Sequence, residues 1–448
     1  MNTNKRIVVL GGGISGYGSA ILAKKEGFEV LLSDSGRIAD RYKARLDEWS
    51  VPYEEGGHSE EYILGATEVI KSPGIPDKAP IVQKIRQQGI PVISEMEFAS
   101  RYSSARTVCI TGSNGKTTTT SLIYKILRDG GVNVGLGGNI GESYAYQVAT
   151  EQFDWYVLEL SSFQLDGMFR FKADVGVLMN ITPDHLDRYD YKFENYAASK
   201  MRITQNQTSA EQFIYMHDDR VIADQMAQHP VASHLLPFSA HTPQSEGAWI
   251  EGEQIYVKAL GRELCLDTRR MQIKGIHNCY NAMAAAMAAV AVGVSEESIV
   301  RSIENFGGVE HRLESAGEID GVEWINDSKA TNVDSVWYAL ESMTRPVVWI
   351  AGGTDKGNDY TPLMEFARAK VHTLVCMGLD NAKLQRSFEG VVPTIISTDS
   401  LEAAMTAARK AAHSGDAVLL SPACASFDLF KNYEHRGEMF KQWVADHK

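Results

Sequence analysis

Short apolar runs recur along the chain without the inside–outside alternation of half-exposed strands. They fall at residues 7–10, 29–33, 108–111, 155–159, 175–179, 347–351, 371–377 and 417–421. Strands buried on both faces of a parallel sheet read this way. Glycines or small polar residues close most of the runs, and helical spacing follows at 14–26, 116–129 and 277–292, with shorter helices at 95–106 and around 196–200. This alternation predicts an α/β protein whose sites gather at the carboxyl ends of its strands. Boundaries are expected near Ser94 and Gly308, giving three units, 1–94, 95–308 and 309–448. Residues 205–270 are mixed, with a strand at 254–257 and no visible chemistry.

The run at 108–111 breaks into Gly112-Ser113-Asn114-Gly115-Lys116-Thr117, and the threonines 117–120 open a helix. Glycines there let backbone N–H groups close on phosphate oxygens, Lys116 brings a charge to the outer phosphates, and Thr117 offers a hydroxyl to Mg²⁺. The loop is two residues shorter than the common phosphate-binding pattern. Further on, the run at 155–159 ends in Glu159, the place where phosphate-loop proteins hold Mg²⁺ or its water shell. A plain strand-end carboxylate is the alternative. Gly138-Asn139 lies in a polar glycine turn that presents an amide, and His185 follows Asn180-Ile-Thr-Pro-Asp184. Lys200 stands on an alanine-rich helix. An ammonium beside Mg²⁺ is repelled, so Lys200 joins a metal site only if its charge is removed or reversed; otherwise it is a salt-bridge or surface lysine. Asn278 and Asn281, one turn apart at a helix start, suit capping or contact with a base.

A second glycine turn, Gly11-Gly-Gly13-Ile-Ser15-Gly16, follows the first run, and the next strand ends at Asp34, where a dinucleotide fold holds its ribose. Taken alone, this admits an NAD-dependent dehydrogenase, any nucleotide diphosphate, or neither. Ser72-Pro73-Gly74 is a tight turn suited to walling a base. A net charge of -13 argues against a nucleic-acid surface, while leaving room for a local basic cleft. Five scattered cysteines without C-x-x-C spacing suggest neither a disulfide framework nor a zinc site, and fit a reduced cytoplasm. With no signal-peptide core and no 18-residue apolar span, no targeting segment and no membrane anchor are expected.

These landmarks resemble the Mur ligase family, the ATP-dependent amide-forming enzymes of peptidoglycan precursor synthesis, from Gly11 to Phe440. The short Gly112 loop, Gly138-Asn139, Glu159, Asn180 with His185, Tyr196-x-x-x-Lys200, His277-Asn278-x-x-Asn281, His311-Arg312 and Asn326-Asp327-Ser-Lys329 occur in the family's order. Leu420-Ser-Pro-Ala-Cys-Ala-Ser426-Phe427 and Tyr433-x-x-Arg436 are similar to the branch that adds D-glutamate, and the Asp-Asn-Pro-Arg run of the diamino-acid branch is missing. A folate polyglutamylating relative or a non-catalytic nucleotide-sugar sensor are the rival readings.

The resemblance implies an N-terminal Rossmann-like UDP-binding domain, a central P-loop ATPase-like sheet and a C-terminal Rossmann-like domain. Its substrates would be UDP-N-acetylmuramoyl-L-alanine, D-glutamate and ATP, joined through an acyl phosphate, with no NAD. By the same implication Lys116, His185, Lys200 and Asn139 are catalytic. ATP would meet residues 112–118, including Thr118, with Asn278, Asn281, Arg312 and Asp327. The UDP-sugar would meet Ser15, Gly16, Asp34, Ser35, Ser72, Pro73, Gly74, Asn139 and His185; D-glutamate would meet Thr331, Lys356, Ser426, Phe427 and Tyr433. Two Mg²⁺ are implied, at Thr117 with Glu159 and at His185 with Lys200 as a carbamate. A cytoplasmic monomer without nucleic-acid or membrane partners completes the expectation.

Overall fold

The computed structural model describes residues 5–355 and 357–448. They form two compact units: residues up to Met271 with Tyr280–Asn305, and Gln272–Cys279 with Phe306–Lys448.

The first unit contains two sheets. One is wholly parallel, in the order β3-β2-β1-β4-β5, from β1 (Arg6–Leu10), β2 (Glu29–Asp34), β3 (Tyr53–Glu55), β4 (Glu68–Lys71) and β5 (Val92–Ile93). Successive side chains of β1 point to opposite faces. Val8 and Leu10 join Ile81, Val82 and Ile85 of helix Pro80–Gln87 in one core, and Val9 is buried as well. This is why the run at 7–10 is apolar throughout.

The other sheet runs β14-β13-β12-β11-β10-β9-β6-β8-β7. Its strands are β6 (Arg106–Thr111), β7 (Val134–Gly138), β8 (Trp155–Glu159), β9 (Val175–Leu178), β10 (Gln212–Met216), β11 (His234–Ser239), β12 (Gly247–Glu251), β13 (Gln254–Ala259) and β14 (Arg262–Asp267). Pairing is parallel as far as β12, and β12, β13 and β14 form an antiparallel meander. Residues 205–270 are therefore far more regular than their sequence suggests. β13 and β14 bury alternate residues, so neither carries a continuous apolar run. The helix expected at 95–106 is also shorter than expected. It spans Glu95–Ala99, a single tight turn covers Ser100–Tyr102, and Arg106 already belongs to β6, with its N–H bonded to Asp154 O at 3.0 Å.

In the second unit the order is β15-β16-β20-β17-β18-β19, from β15 (Glu314–Ile319), β16 (Val322–Asn326), β17 (Val347–Ala351), β18 (Val371–Met377), β19 (Thr394–Thr398) and β20 (Ala417–Leu420). Only β15 is antiparallel to its neighbour. Along β17, Val347, Trp349 and Ala351 face one core with Leu374 and Phe388, while Val348 and Ile350 face another with Trp324 and Phe440.

Order reversal decides where sites can form. β1 lies between β2 and β4, and β6 lies between β9 and β8, so the glycine turns after β1 and β6 open into crevices at the switch points. Glu97, on the helix Glu95–Ala99 that follows β5, is 1% exposed and holds the segment that leads into β9. Its Oε2 accepts the N–H groups of Phe169, Arg170 and Phe171, each at 2.9 Å, and Arg101 pairs with Oε1. Glu97→Ala strands those donors and is expected to cost about 2–3 kcal/mol, whereas Glu97→Gln, which keeps an acceptor oxygen, costs less. Urea titrations of the three proteins check this; an unchanged midpoint for the alanine variant would contradict it.

Candidate active site

The loop after β6 is shaped by backbone that only glycine adopts easily. Gly115 has φ +83°, and an added Cβ would lie 2.8 Å from Asn281 Oδ1. Gly112 is similarly confined, with Met179 Cβ 2.9 Å from where its own would stand. Asn180, beyond β9, clasps the loop in both directions: its carbonyl accepts Ser113 N–H (3.0 Å), its Oδ1 accepts Asn114 N–H (2.8 Å), and its Nδ2 donates to Asn114 O (3.1 Å). Ser113 Oγ donates to Thr182 O at 2.8 Å. Helix Lys116–Asp129 starts here, so its free N–H groups and dipole face any anion in the loop. Lys116 arches back, with Nζ donating to Gly112 O (2.7 Å) and Ser113 O (2.9 Å). Thr117 and Thr118 are buried, and the Thr118 hydroxyl has no hydrogen-bond partner among the described residues. Asn281 Oδ1 accepts from Thr119 Oγ1 at 3.1 Å and so packs on the loop, whereas Asn278 Nδ2 donates to Lys274 O at 2.8 Å.

Parallel pairing brings Glu159 to the flank of this loop. The residue is 1% exposed; Oε1 accepts Asn139 Nδ2 at 2.8 Å, and the Asn139 N–H donates to Glu159 O at 2.8 Å. Its Oε2 is buried without a hydrogen-bond partner among the described residues. An orphaned buried carboxylate oxygen asks for a cation, and oxygen donors suit Mg²⁺, so Glu159 fits the expected ion. Lys200, also 1% exposed, donates from Nζ to Gly112 O at 2.8 Å and lies over the Tyr196 ring. Burial, and next the charge of Lys116, hold its pKa well below the ordinary lysine range. As an ammonium it does not fit a metal site; as a carbamate it does. His185 has φ 51°, with Nε2 3.5 Å from Asp184 Oδ2 and its ring edge-on to Phe163.

The turn after β1 is equally close-packed, since a Cβ on Gly16 would sit 1.8 Å from Gly11 O. Asp34 shapes this region, accepting Gly12 N–H at Oδ2 (2.6 Å) and Gly36 N–H at Oδ1 (2.7 Å). Ser72 Oγ lies 3.5 Å from Gly11 O, and Pro73 O accepts from Arg188 at 3.4 Å. Ser35 and Gly74 are exposed. Ser15 is buried, its hydroxyl beside the Glu95 carboxyl, which points it toward the protein interior.

In the second unit, Asp327 is 2% exposed, accepting Leu313 N–H at Oδ1 (3.2 Å) and Ser421 Oγ at Oδ2 (2.7 Å). Burial pushes its carboxyl up to about 7, against the opposing pull of Arg312. Arg312 Nε is buried without a partner among the described residues. Burial and Arg312 together push His277 down to about 4. Thr331 N–H bonds Lys329 O, Lys329 Nζ lies over the Tyr433 ring, and Ser426 is buried while Phe427 is 72% exposed. Lys356 lies outside the described residues. Two organising residues escape a sequence reading. Asn180 appears there as a landmark without a role, and Arg436, wholly buried, ties Ser328 (Oγ 2.9 Å, O 2.8 Å) to the helix Tyr433–Asp446. Their signal was a polar residue at a strand end and an arginine beside Gly437.

Comparisons with known proteins bear on the whole chain. The MurD-like N-terminal domain of Mur ligases matches residues 5–94, the Mur ligase middle domain residues 110–289, and the Mur ligase glutamate ligase domain residues 311–424. The chain is 52% identical over 443 residues to the "UDP-N-acetylmuramoylalanine--D-glutamate ligase" of Bacteroides fragilis, covering 99% of this chain and 100% of that one. It is likewise 52% identical to the enzyme of that name from Christiangramia forsetii, covering 99% of each. Among solved structures, UDP-N-acetylmuramate-alanine ligase MurC from Thermotoga maritima shares the fold, with a TM-score of 0.64 at 16% identity over 99% of this chain and 100% of that one. With three domain matches in order and half its residues identical to full-length relatives, this chain belongs to the Mur ligase family.

Proposed function

We propose that the chain is an ATP-dependent ligase that adds D-glutamate to UDP-N-acetylmuramoyl-L-alanine in the synthesis of peptidoglycan precursors. The single observation that carries the substrate assignment is the full-length identity of 52% to relatives bearing that name. The chemistry rests on the cluster of Lys116, Lys200, Glu159 and Asn139 at the carboxyl ends of β6 and β8. In this reading, 1–94 binds the UDP moiety, 95–308 binds ATP and 309–448 binds D-glutamate, in a cytoplasmic monomer.

A carboxylate resists attack because both oxygens share its charge. The terminal L-alanine carboxylate of the UDP-sugar therefore attacks the γ-phosphate of ATP, releasing ADP and leaving an acyl phosphate. The amine of D-glutamate then attacks the acyl carbon; a C–N bond forms, the C–O bond to phosphate breaks, and the amine loses a proton. Two magnesium ions, when bound, supply positive charge to the phosphoryl oxygens. Thr117 and Glu159 would hold one, and His185 with carbamylated Lys200 the other. Lys116 turns from its own loop carbonyls to the transferred phosphoryl group, and the N–H groups of residues 112–118 cradle the β-phosphate. Asn139 and His185 orient the acyl end of the UDP-sugar, whose nucleotide meets Gly16, Asp34, Ser35 and Ser72–Gly74, and Ser15 through its backbone alone, since the hydroxyl is turned to Glu95. Asn278, Asn281, Arg312 and Asp327 contact ATP. Thr331, Lys356, Ser426, Phe427 and Tyr433 hold D-glutamate, whose two carboxylates suit a lysine and a helix start.

The assay that tests this measures phosphate release from ATP with UDP-N-acetylmuramoyl-L-alanine, offering D-glutamate, L-glutamate or a diamino acid. Release is expected with D-glutamate alone, and equal release without it would refute the assignment. Lys200→Ala is expected to lower turnover by about 10³-fold. With ¹³C-labelled bicarbonate, the wild type should show one carbamate carbon resonance that Lys200→Arg lacks; its persistence in that variant would remove Lys200 from this role.

A further inference from the structure

The turn that carries Asn139 is anchored at both ends. At one end Asn139 is held to Glu159 by its N–H and its Nδ2, each at 2.8 Å. At the other, three residues on, Glu142 reaches across to the N-terminal sheet's helices. Its Oε1 accepts the hydroxyl of Tyr17, on the helix Ile14–Lys25 that opens at the first glycine turn. Its Oε2 accepts Arg45 Nη1 at 2.8 Å, and the same nitrogen donates to Tyr17 Oη at 2.6 Å. Arg45 also lies 4.6 Å from the Tyr146 ring centroid.

A second tie runs alongside the first. Ser143 Oγ donates to Glu95 Oε1 at 2.5 Å, Ala145 N–H donates to the same oxygen at 3.1 Å, and the Ser15 hydroxyl stands beside that carboxyl. The helices Ile14–Lys25 and Tyr144–Thr150 touch directly, since a Cβ on Gly18 would fall 1.9 Å from Ser143 Oγ. Between the anchors the turn is closed by Gln147 Nε2, which donates to Leu136 O at 2.8 Å and Glu142 O at 3.1 Å. Any shift of the first helix is therefore delivered to the Asn139 turn.

Resting on the reading of the first glycine turn as a nucleotide site, we propose that Glu142 is a positioning residue. Through Tyr17 and Arg45 it fixes the Asn139 turn to the helix that opens at the nucleotide turn, so that a bound nucleotide sets the Asn139 carboxamide against Glu159. Simple cement between sheets is the competing role. Glu142 and Arg45 keep a third or more of their side chains exposed, and an ion pair in that setting adds little to stability. What the contact contributes is geometry, because Tyr17, 1% exposed, holds its hydroxyl between Glu142 and Arg45.

The test uses the full chain with UDP as the probe. Hydrogen exchange of the segment 138–143 is followed with and without UDP in the wild type, Tyr17→Phe and Glu142→Ala, alongside turnover in each and in combination with Asn139→Ala. UDP is expected to protect the segment in the wild type and to bind the variants within about threefold of that affinity without protecting it. Turnover in the variants is expected to fall about 10-fold, with KM for the UDP-sugar little changed, and Tyr17→Phe is expected to cost nothing further once Asn139 is alanine. If the wild type fails to bind UDP, the nucleotide reading falls and the proposal with it. If UDP binds but the segment gains no protection, or gains it equally in the variants, or if the turnover losses simply add, the positioning role alone is overturned.

Discussion

Two lysines share one carbonyl. Lys116 and Lys200 both donate to Gly112 O, at 2.7 and 2.8 Å. Two ammonium groups that close, one of them almost wholly buried, repel each other with little solvent to screen them. Burial first, and then the charge of Lys116, hold the pKa of Lys200 well below the ordinary lysine range. The loop therefore gathers two lysine side chains at one carbonyl, with burial opposing the charge of Lys200.

The parallel sheet is what makes that contact possible. β6 lies between β8 and β9, so the loop that follows it is flanked by Glu159 on one side and Asn180 on the other. Asn180 satisfies the loop's backbone, while Glu159 keeps one oxygen unsatisfied. A fully bonded clasp beside an orphaned carboxylate oxygen and an orphaned Thr118 hydroxyl is the pattern of a site completed by something else. At the second switch point, Asp34 fills its bonds with the N–H groups of Gly12 and Gly36, so the loop is already held in shape there.

Much of this was legible in the chain itself. Doubly buried strands such as β1, β6, β8 and β17 have to be apolar along their whole length, and their turns have to be glycine where φ is positive or backbones meet, so the α/β class and both glycine turns could be read directly. Of the meander only β13 showed, as the strand expected at 254–257, and β14 did not, because strands with one exposed face lack that signature. Lys200 was recognisable only as a lysine whose charge would have to be removed at a metal site; its burial and its bond to Gly112 O, 88 residues away, were not visible. Arg436 and Asn180 were visible as letters in motifs, yet their work is done through partners 108 and 66 residues away.

Residue type and local spacing by themselves determined the doubly buried strands, the phosphate-type turn and the family the chain resembles, because each depends on neighbours within a few positions. Only the tertiary structure decided which oxygen of Glu159 stays unpaired, that Lys116 and Lys200 meet at one carbonyl, and that Ser15 turns inward toward Glu95. The reason is physical: hydrogen-bond satisfaction and the loss of solvent around a charge are properties of a packed environment, which strand order assembles from distant parts of the chain.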